Sequence, residues 1–217
     1  MFRIEDPLVD QTLQRLHHAS SRQGLTIIRG LARGIFRKLR PEDMRDAYLP
    51  LSRDQGEFLY DLLVRKQATN VVEFGTSFGV STLYLAAAMR QTGGRVITTE
   101  LLANKCTVAR RNFADAGLEG IIDLREGDAM ATLKSNVPPN IDLLLLDGWN
   151  DLYLPLLQLL EPLFRPGTLI YTDNASFKSA RPFLEYLRQR PELYRTARRK
   201  NDKGGAELTE YIGRSGT

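Results

Sequence analysis

The sequence predicts an α/β fold: a doubly wound, mostly parallel sheet of seven strands that finishes in an antiparallel hairpin. Three observations carry that reading. From Ser52 onward, short apolar runs alternate with stretches of helical periodicity, as expected of strands buried on both faces and helices that cover them. The first of these runs ends in Glu73-Phe-Gly-Thr-Ser-Phe-Gly79 and leads into a helical stretch, Ser81 to Met89, so an acidic strand end, a glycine loop and a helix follow in order. Near the C-terminus two further strand-like segments flank Gly204-Gly205 and read as a hairpin. The architecture that combines all three is Rossmann-like.

The elements follow in chain order. Asp6-Pro7 supplies a cap and a first-turn proline for an amphipathic helix through Leu8, Val9, Leu13 and Leu16, and Ile27, Ile28, Leu31 and Ile35 have the spacing of a second. These helices are expected to form an N-terminal extension over residues 1–48, a lid or a dimer arm, ahead of one domain over residues 49–217. Pro41 and Pro50 bracket a connector, and Ser52 with Asp54 opens a helix through Phe58, Leu59, Leu62 and Leu63. Parallel strands are expected at Asn70 to Phe74, Val96 to Glu100, Ile121 to Arg125, Ile141 to Asp147 and Thr168 to Asp173. Leu143 to Leu146 is apolar without interruption and fits a central strand, while Val137-Pro-Pro-Asn140 before it reads as a turn. Tyr194 to Arg199 and Glu207 to Gly213 make the closing hairpin.

Composition sets limits on function. With 42% hydrophobic and 26% charged residues in 217, the chain has the make-up of a single globular domain, and no apolar run approaches the ~20 residues of a membrane span. The N-terminus lacks the apolar stretch of a secretory signal, and the one cysteine, Cys106, cannot form an internal disulfide, so a cytoplasmic setting is expected. Cys106 reads as an inert helix residue, and His17 and His18 as surface or lid residues rather than metal ligands. The formal charge of +4 gathers in two places: Arg29, Arg33 and Arg37 at helical spacing, and Arg195, Arg198, Arg199, Lys200 and Lys203 near the end. Each is a solvated face or a site for an anionic substrate, RNA or an acidic surface.

The glycine loop has the spacing E-x-G-x-x-x-G. The dinucleotide fingerprint would need glycine where Ser77 stands, and a P-loop would need Gly-Lys-Ser/Thr, so the ligand is not held mainly by phosphates. An acidic strand end suits a positive group and free amides at a helix start suit a carboxylate; S-adenosylmethionine carries both. The other strand ends are also acidic or amide: Glu100, Asp128, Asp147 and Asp173-Asn174. Glu100 stands where a carboxylate reaches a ribose diol. Asp128 starts a helix, as an N-cap, an adenine contact or both. Asp147, Asp173 and Asn174 offer hard oxygen donors from two strands expected to be neighbours, a set that suits Mg²⁺.

These residues resemble the metal-dependent O-methyltransferases, the class of the catechol and caffeoyl-coenzyme A enzymes, over roughly Leu49 to Gly213. The resemblance is strongest in Val71-Val-Glu-Phe-Gly-Thr-Ser-Phe-Gly-Val-Ser-Thr82, Leu146-Asp-Gly-Trp-Asn-Asp-Leu-Tyr-Leu-Pro155 and Arg165-Pro-Gly-Thr-Leu-Ile-Tyr-Thr-Asp-Asn174. It implies that Leu51, Glu73, Gly75, Thr76, Ser77 and Ser81 hold the amino-acid end of the cofactor, that Glu100 and Leu101 lie at the ribose, and that Asp128, Ala129 and Trp149 frame the adenine. It also implies a divalent metal on Asp147, Asp173 and Asn174, with Asp147 touching the cofactor as well and Asp147 and Asn150 at the catalytic position, a homodimer, and direct methyl transfer to a metal-bound hydroxyl of a vicinal diol. Two positions depart from the family pattern. Asn150 replaces its usual lysine and cannot act as a general base, leaving the metal, Asp151, Lys178 or an acidic substrate to ionise the hydroxyl. Arg198 falls where the catechol enzymes place a glutamate, which points to an anionic acceptor. The competing readings are a tRNA hydroxyl methyltransferase and a non-catalytic S-adenosylmethionine-binding protein.

Overall fold

The structure, a computed structural model, describes residues 4–21, 50–199 and 205–213. The second N-terminal helix, the Arg29, Arg33, Arg37 stripe, Lys200, Lys203 and Gly204 lie outside the described residues.

Seven strands form one sheet in the order β3-β2-β1-β4-β5-β7-β6. The parallel part comprises β1 (Asn70–Phe74), β2 (Arg95–Glu100), β3 (Ile122–Glu126), β4 (Ile141–Leu146) and β5 (Phe164–Thr172). The chain then turns back through β6 (Tyr194–Arg199) and β7 (Ala206–Tyr211), and β7 pairs antiparallel with both β5 and β6. Every residue of β4 is buried, as a strand flanked by β1 and β5 and covered on both faces must be. Strand β5 starts four residues before the expected Thr168, because Pro166-Gly167 hides its beginning in the sequence. Thr168 spans the register shift there, donating its hydroxyl to the Ile141 carbonyl at 2.6 Å and accepting from the Arg165 amide.

One face of the sheet is covered by α1 (Pro7–Ser21), α2 (Arg53–Lys66), α3 (Val80–Thr92) and α4 (Ala103–Asp115), the other by α5 (Ala129–Thr132), α6 (Tyr153–Leu160) and α7 (Arg181–Arg188). This two-sided winding follows from right-handed crossovers that run outward in opposite directions from β1 and β4. Helix α1 begins as its cap predicts, with the Asp6 carboxylate accepting from the amides of Leu8 and Val9. Its Val9, Leu13 and Leu16 are buried in the core shared with α3. Gly56 of α2 lets the helices approach, since a side chain there would meet the Tyr84 ring at 2.3 Å. On the other side of that ring, His17 shares a 3.1 Å hydrogen bond with the Tyr84 hydroxyl. His17 is thus half-buried and structural, not the surface residue expected, while His18 is exposed. Cys106 is fully buried and burial pushes its thiol up to about 11, in keeping with an inert role.

Candidate cofactor and metal site

The crossovers leave a cleft between β1 and β4, the point in such a sheet where ligands bind. Its walls are the loop after β1, with Gly75, Thr76, Ser77 and Phe78, the start of α3 at Val80 and Ser81, Pro50-Leu51 from the segment before α2, and Asp147 at the end of β4. Six expected cofactor residues, Leu51, Gly75, Thr76, Ser77, Ser81 and Asp147, therefore share one lining. Glu73, Glu100, Leu101, Asp128, Ala129 and Trp149 are not part of it.

Close packing shapes the loop. Gly75 has φ of 108°, and a Cβ on it would lie 2.7 Å from the Asp147 carbonyl oxygen. Gly148 has the reciprocal constraint, its Cβ position lying 2.5 Å from the Phe74 ring. The loop and the end of β4 thus cross at backbone contact, which only glycines permit. Ser77 adopts φ of 50°, the left-handed conformation that costs an ordinary residue about 1–2 kcal/mol. Its amide donates to Glu100 Oε2 at 2.9 Å, and its hydroxyl accepts from Lys105 Nζ at 3.4 Å. Helix α3 starts at Gly79 without any side-chain cap, so its first amides face the loop unclaimed by a capping oxygen.

The strand-end acids divide into distinct roles. Glu73 is wholly buried; Thr82 and Thr98 donate to its Oε2 at 2.5 and 2.6 Å, and Oε1 has no hydrogen-bond partner among the described residues. Thr76 Oγ1 lies 2.5 Å from Thr98 Oγ1 and extends that hydroxyl chain. Burial raises the Glu73 pKa against the pull of the Ser81, Thr82 and Thr98 hydroxyls. Glu73 lies beneath the loop that follows β1, outside the lining of the cleft. Glu100 accepts from the amides of Ser77 and Leu102, tying the loops after β1 and β2 together, and its two oxygens keep lone pairs for further donors. Asp128 caps α5 through the Met130 amide at 2.9 Å and is exposed; Ala129 behind it is buried, Trp149 is half-buried and Leu101 is exposed.

Asp147 and Asp173 meet. Their amides extend the sheet one bond past its strands, Asp147 N–H to the Phe74 carbonyl and Asp173 N–H to the Leu146 carbonyl. Burial, then the neighbouring Asp173 and Glu73, push the Asp147 carboxyl well above the usual carboxylate range, with Lys105 opposing. Asn174 donates its amide nitrogen to Asp173 Oδ2 at 2.9 Å, which leaves its amide oxygen as a third hard donor. Two carboxylates and an amide oxygen are hard donors of the kind that Mg²⁺ takes. Among the described residues no group of three or more His, Cys, Asp or Glu gathers, so this mixed set is the candidate.

Several supporting residues were not foreseen. Gln55 completes a capping box with Ser52, and its amide nitrogen donates to Asp173 Oδ1 at 3.0 Å and to the Tyr171 hydroxyl at 3.1 Å. The S-x-x-Q spacing announces the cap, but the contact with Asp173 arises only in the fold. The buried Tyr153 hydroxyl reaches the carbonyls of Gly148 and Asp173, each at 3.3 Å, from below. Asn150 makes only a long 3.5 Å contact to the Asn174 carbonyl. Arg198 donates to Ser176 Oγ at 3.2 Å, which holds the exposed guanidinium beside the loop that follows Asn174.

The chain can now be set beside known proteins. A family model described as O-methyltransferase matches residues 31–182. The catechol O-methyltransferase of Niastella koreensis is 36% identical over 129 residues, covering 58% of each chain, and that of Mycobacterium tuberculosis is 31% identical over 162 residues, covering 69% of this chain and 73% of its own. The match spans little more than half of several relatives, 51% in the Bos taurus catechol O-methyltransferase. Among solved structures, the O-methyltransferase from Bacillus cereus in complex with SAH superposes with a TM-score of 0.71 at 24% identity, covering 93% of this chain and 90% of the other, a likeness of fold. A putative O-methyltransferase from Klebsiella pneumoniae gives the same TM-score at 26% identity over 96% and 91%. With the family model matching most of its length and the glycine loop and acidic strand ends in place, the chain belongs to the S-adenosylmethionine-dependent O-methyltransferase family that includes the catechol O-methyltransferases.

Proposed function

We propose that this protein transfers a methyl group from S-adenosylmethionine to one hydroxyl of a vicinal diol on a small aromatic acceptor, with Mg²⁺ or another divalent cation as cofactor. The observation that carries the reading is the double position of Asp147, which lines the cofactor cleft and also faces Asp173. A methyl donor and a hydroxyl activated at the two carboxylates would thus lie side by side. S-adenosylmethionine when bound supplies an electrophilic methyl group, and a divalent cation when bound lowers the pKa of a coordinated hydroxyl. The chain's own residues position these groups. Ser81 and the uncapped start of α3 suit the methionyl carboxylate, and Glu100 suits the ribose diol. Gln55 holds Asp173 in one orientation, and Asn174 holds its second oxygen. Asn150 has no basic group, so deprotonation of the acceptor falls to metal coordination.

Arg198 beside Ser176 supports an acceptor that also carries a carboxylate or another anion. The family pattern supports a homodimer, and the lone buried cysteine a cytoplasmic setting. Among the described residues no helix is long and apolar enough to cross a membrane.

The test is a panel of catechols, dihydroxybenzoates, aliphatic hydroxy acids and tRNA incubated with S-adenosylmethionine, with and without a chelator. Chelator-sensitive methylation of an aromatic diol is expected. Turnover that survives chelation would remove the metal from the scheme, methylation of tRNA alone would replace the acceptor, and binding without turnover on any member would leave a non-catalytic protein.

A further inference from the structure

We infer that Gln55 is a positioning residue of this site, its side-chain amide aiming the Asp173 carboxylate for the divalent cation; the inference rests on the metal reading above. Gln55 lies in the first turn of α2, outside the cleft lining and outside the three motifs that carry the family resemblance. It is only 6% exposed, and three contacts hold its amide. Oε1 accepts from the Ser52 amide at 3.0 Å, while Nε2 donates to the Tyr171 hydroxyl at 3.1 Å and to Asp173 Oδ1 at 3.0 Å.

The first contact fixes the direction of the other two. A backbone N–H can only donate, so the amide oxygen must face Ser52 and the NH₂ group must face Tyr171 and Asp173. Its two hydrogens meet two acceptors. Tyr171 and Asp173 stand two residues apart, and the Asp173 amide still bonds to the Leu146 carbonyl as a strand residue would, so both side chains point to one face of the sheet. That face is the one α2 covers, since Tyr171 packs in the core with Leu59 and Leu63. One planar group thereby joins the start of α2 to the carboxylate at the end of β5.

A helix cap alone does not call for this residue. Glutamate in the third position of a capping box serves the Ser52 amide as well as glutamine does. Here an ionised glutamate would set an oxygen against Asp173 Oδ1, whereas the amide sets a donor there. That donor is neutral, so it fixes the carboxylate without cancelling the charge that attracts a cation. A carboxylate already aimed needs no reordering when a cation binds, and such partners of metal ligands commonly contribute about ten- to a hundredfold in affinity.

A residue that only starts α2 would leave metal affinity alone, and titration separates the two roles. Binding of Mn²⁺, which takes the same oxygen donors as Mg²⁺, is followed by electron paramagnetic resonance of the free ion on the wild-type protein, Gln55→Met and Ser52→Ala. S-adenosylmethionine binding is measured by calorimetry on the same proteins without metal. Gln55→Met should weaken Mn²⁺ about tenfold or more and S-adenosylmethionine less than about threefold. Ser52→Ala, which removes the hydroxyl cap but keeps the Ser52 N–H for Gln55, should leave Mn²⁺ within about twofold while lowering the melting temperature. Equal loss of Mn²⁺ affinity in the two variants, equal loss of both ligands in Gln55→Met, or no loss of Mn²⁺ there overturns the assignment and leaves the metal reading intact. Should Gln55→Met not fold, Gln55→Asn, which keeps the amide but shortens its reach by one methylene, takes its place under the same criteria. Wild-type protein that takes up no Mn²⁺ overturns the metal reading itself.

Discussion

Strand β4 carries a buried aspartate near its beginning and a half-buried one just past its end, and the two are treated in opposite ways. Asp142 accepts from the amides of Thr69 and Asn70 at 2.7 and 3.1 Å and from Arg165 at 2.5 Å. Burial alone would raise its pKa, but these donors outweigh burial and hold it below the usual aspartate value. Asp147, five residues on, faces Asp173 and Glu73 and is pushed the other way. Loss of water pushes both upward, so it does not decide the difference; the neighbouring groups do. At the amino end of the sheet donors meet the carboxylate, whereas the carboxyl end brings Asp147, Asp173 and Glu73 together. A protein tolerates such an end only where it has a use for it.

The comparison breaks most visibly if the two aspartates are exchanged for neutral residues. Asp147→Asn should lower turnover at least a hundredfold, because it removes a donor from the site where charge must be stabilised. It should leave the melting temperature unchanged or slightly raised, since it also removes a repelling charge. Activity assays and thermal unfolding on the same preparation check both halves, and a melting temperature that fell by several degrees would make Asp147 structural after all. Asp142→Ala should do the reverse. Two backbone amides and Arg165 lose their acceptor, at a cost of about 1–3 kcal/mol and a fall of several degrees in melting temperature, with turnover of the folded fraction retained.

The next effect is one of pH and sharpens the contrast. Because the folded pKa of Asp142 is lowered, its contribution is fully present above the ordinary aspartate value of 3.8 and is lost as pH falls through the lower folded value. Urea unfolding of the wild-type protein and Asp142→Asn should therefore show a stability gap that is constant near neutrality and narrows below pH 3.8. A gap that stayed constant to the most acid pH would mean that the Asp142 contacts do not depend on its charge.

The same two aspartates show where the sequence was legible. Asp147 could be read as functional because it ends an apolar run in an α/β pattern, and the rule that ligands gather at carboxyl strand ends supplied the rest. Glu73, Glu100 and Asp173 came from the same census, but their division of labour did not. Little in the local sequence distinguishes a carboxylate enclosed by Thr82 and Thr98 from one bonded to the amides of Ser77 and Leu102, because all of these partners but Leu102 lie 9 to 25 residues away in the chain. Lys105 and Gln55 were missed for the same reason, their helical context being ordinary and their contacts tertiary. Strand β5 was read short because Pro166-Gly167 breaks the pattern of a strand whose register irregularity accommodates them. Asp142 was passed over because the β4 pattern reads well with a polar first turn of the strand, and its three donors come from elsewhere.

Smaller effects concern the acceptor, where the family resemblance leads one to expect a lysine and a glutamate and the chain has Asn150 and Arg198. Arg198 is exposed, and among the described residues its side chain bonds to Ser176 alone, so its loss should not disturb the fold. Arg198→Ala should raise KM for a dihydroxybenzoate by about tenfold and leave KM for an uncharged catechol within about twofold. Equal KM changes for both would sever Arg198 from acceptor charge. Asn150 should matter least. Its amide makes one long contact with the Asn174 carbonyl and has no proton to exchange near neutral pH, so Asn150→Ala should lower kcat by less than about threefold in the presence of metal. Asn150→Lys, which restores the usual residue of the family, then becomes the informative variant. If metal coordination alone ionises the hydroxyl, the pH dependence of kcat should be the same in Asn150→Lys as in the wild-type protein; a shift of its acid limb to lower pH would show that a base had been missing from the acceptor site of this chain.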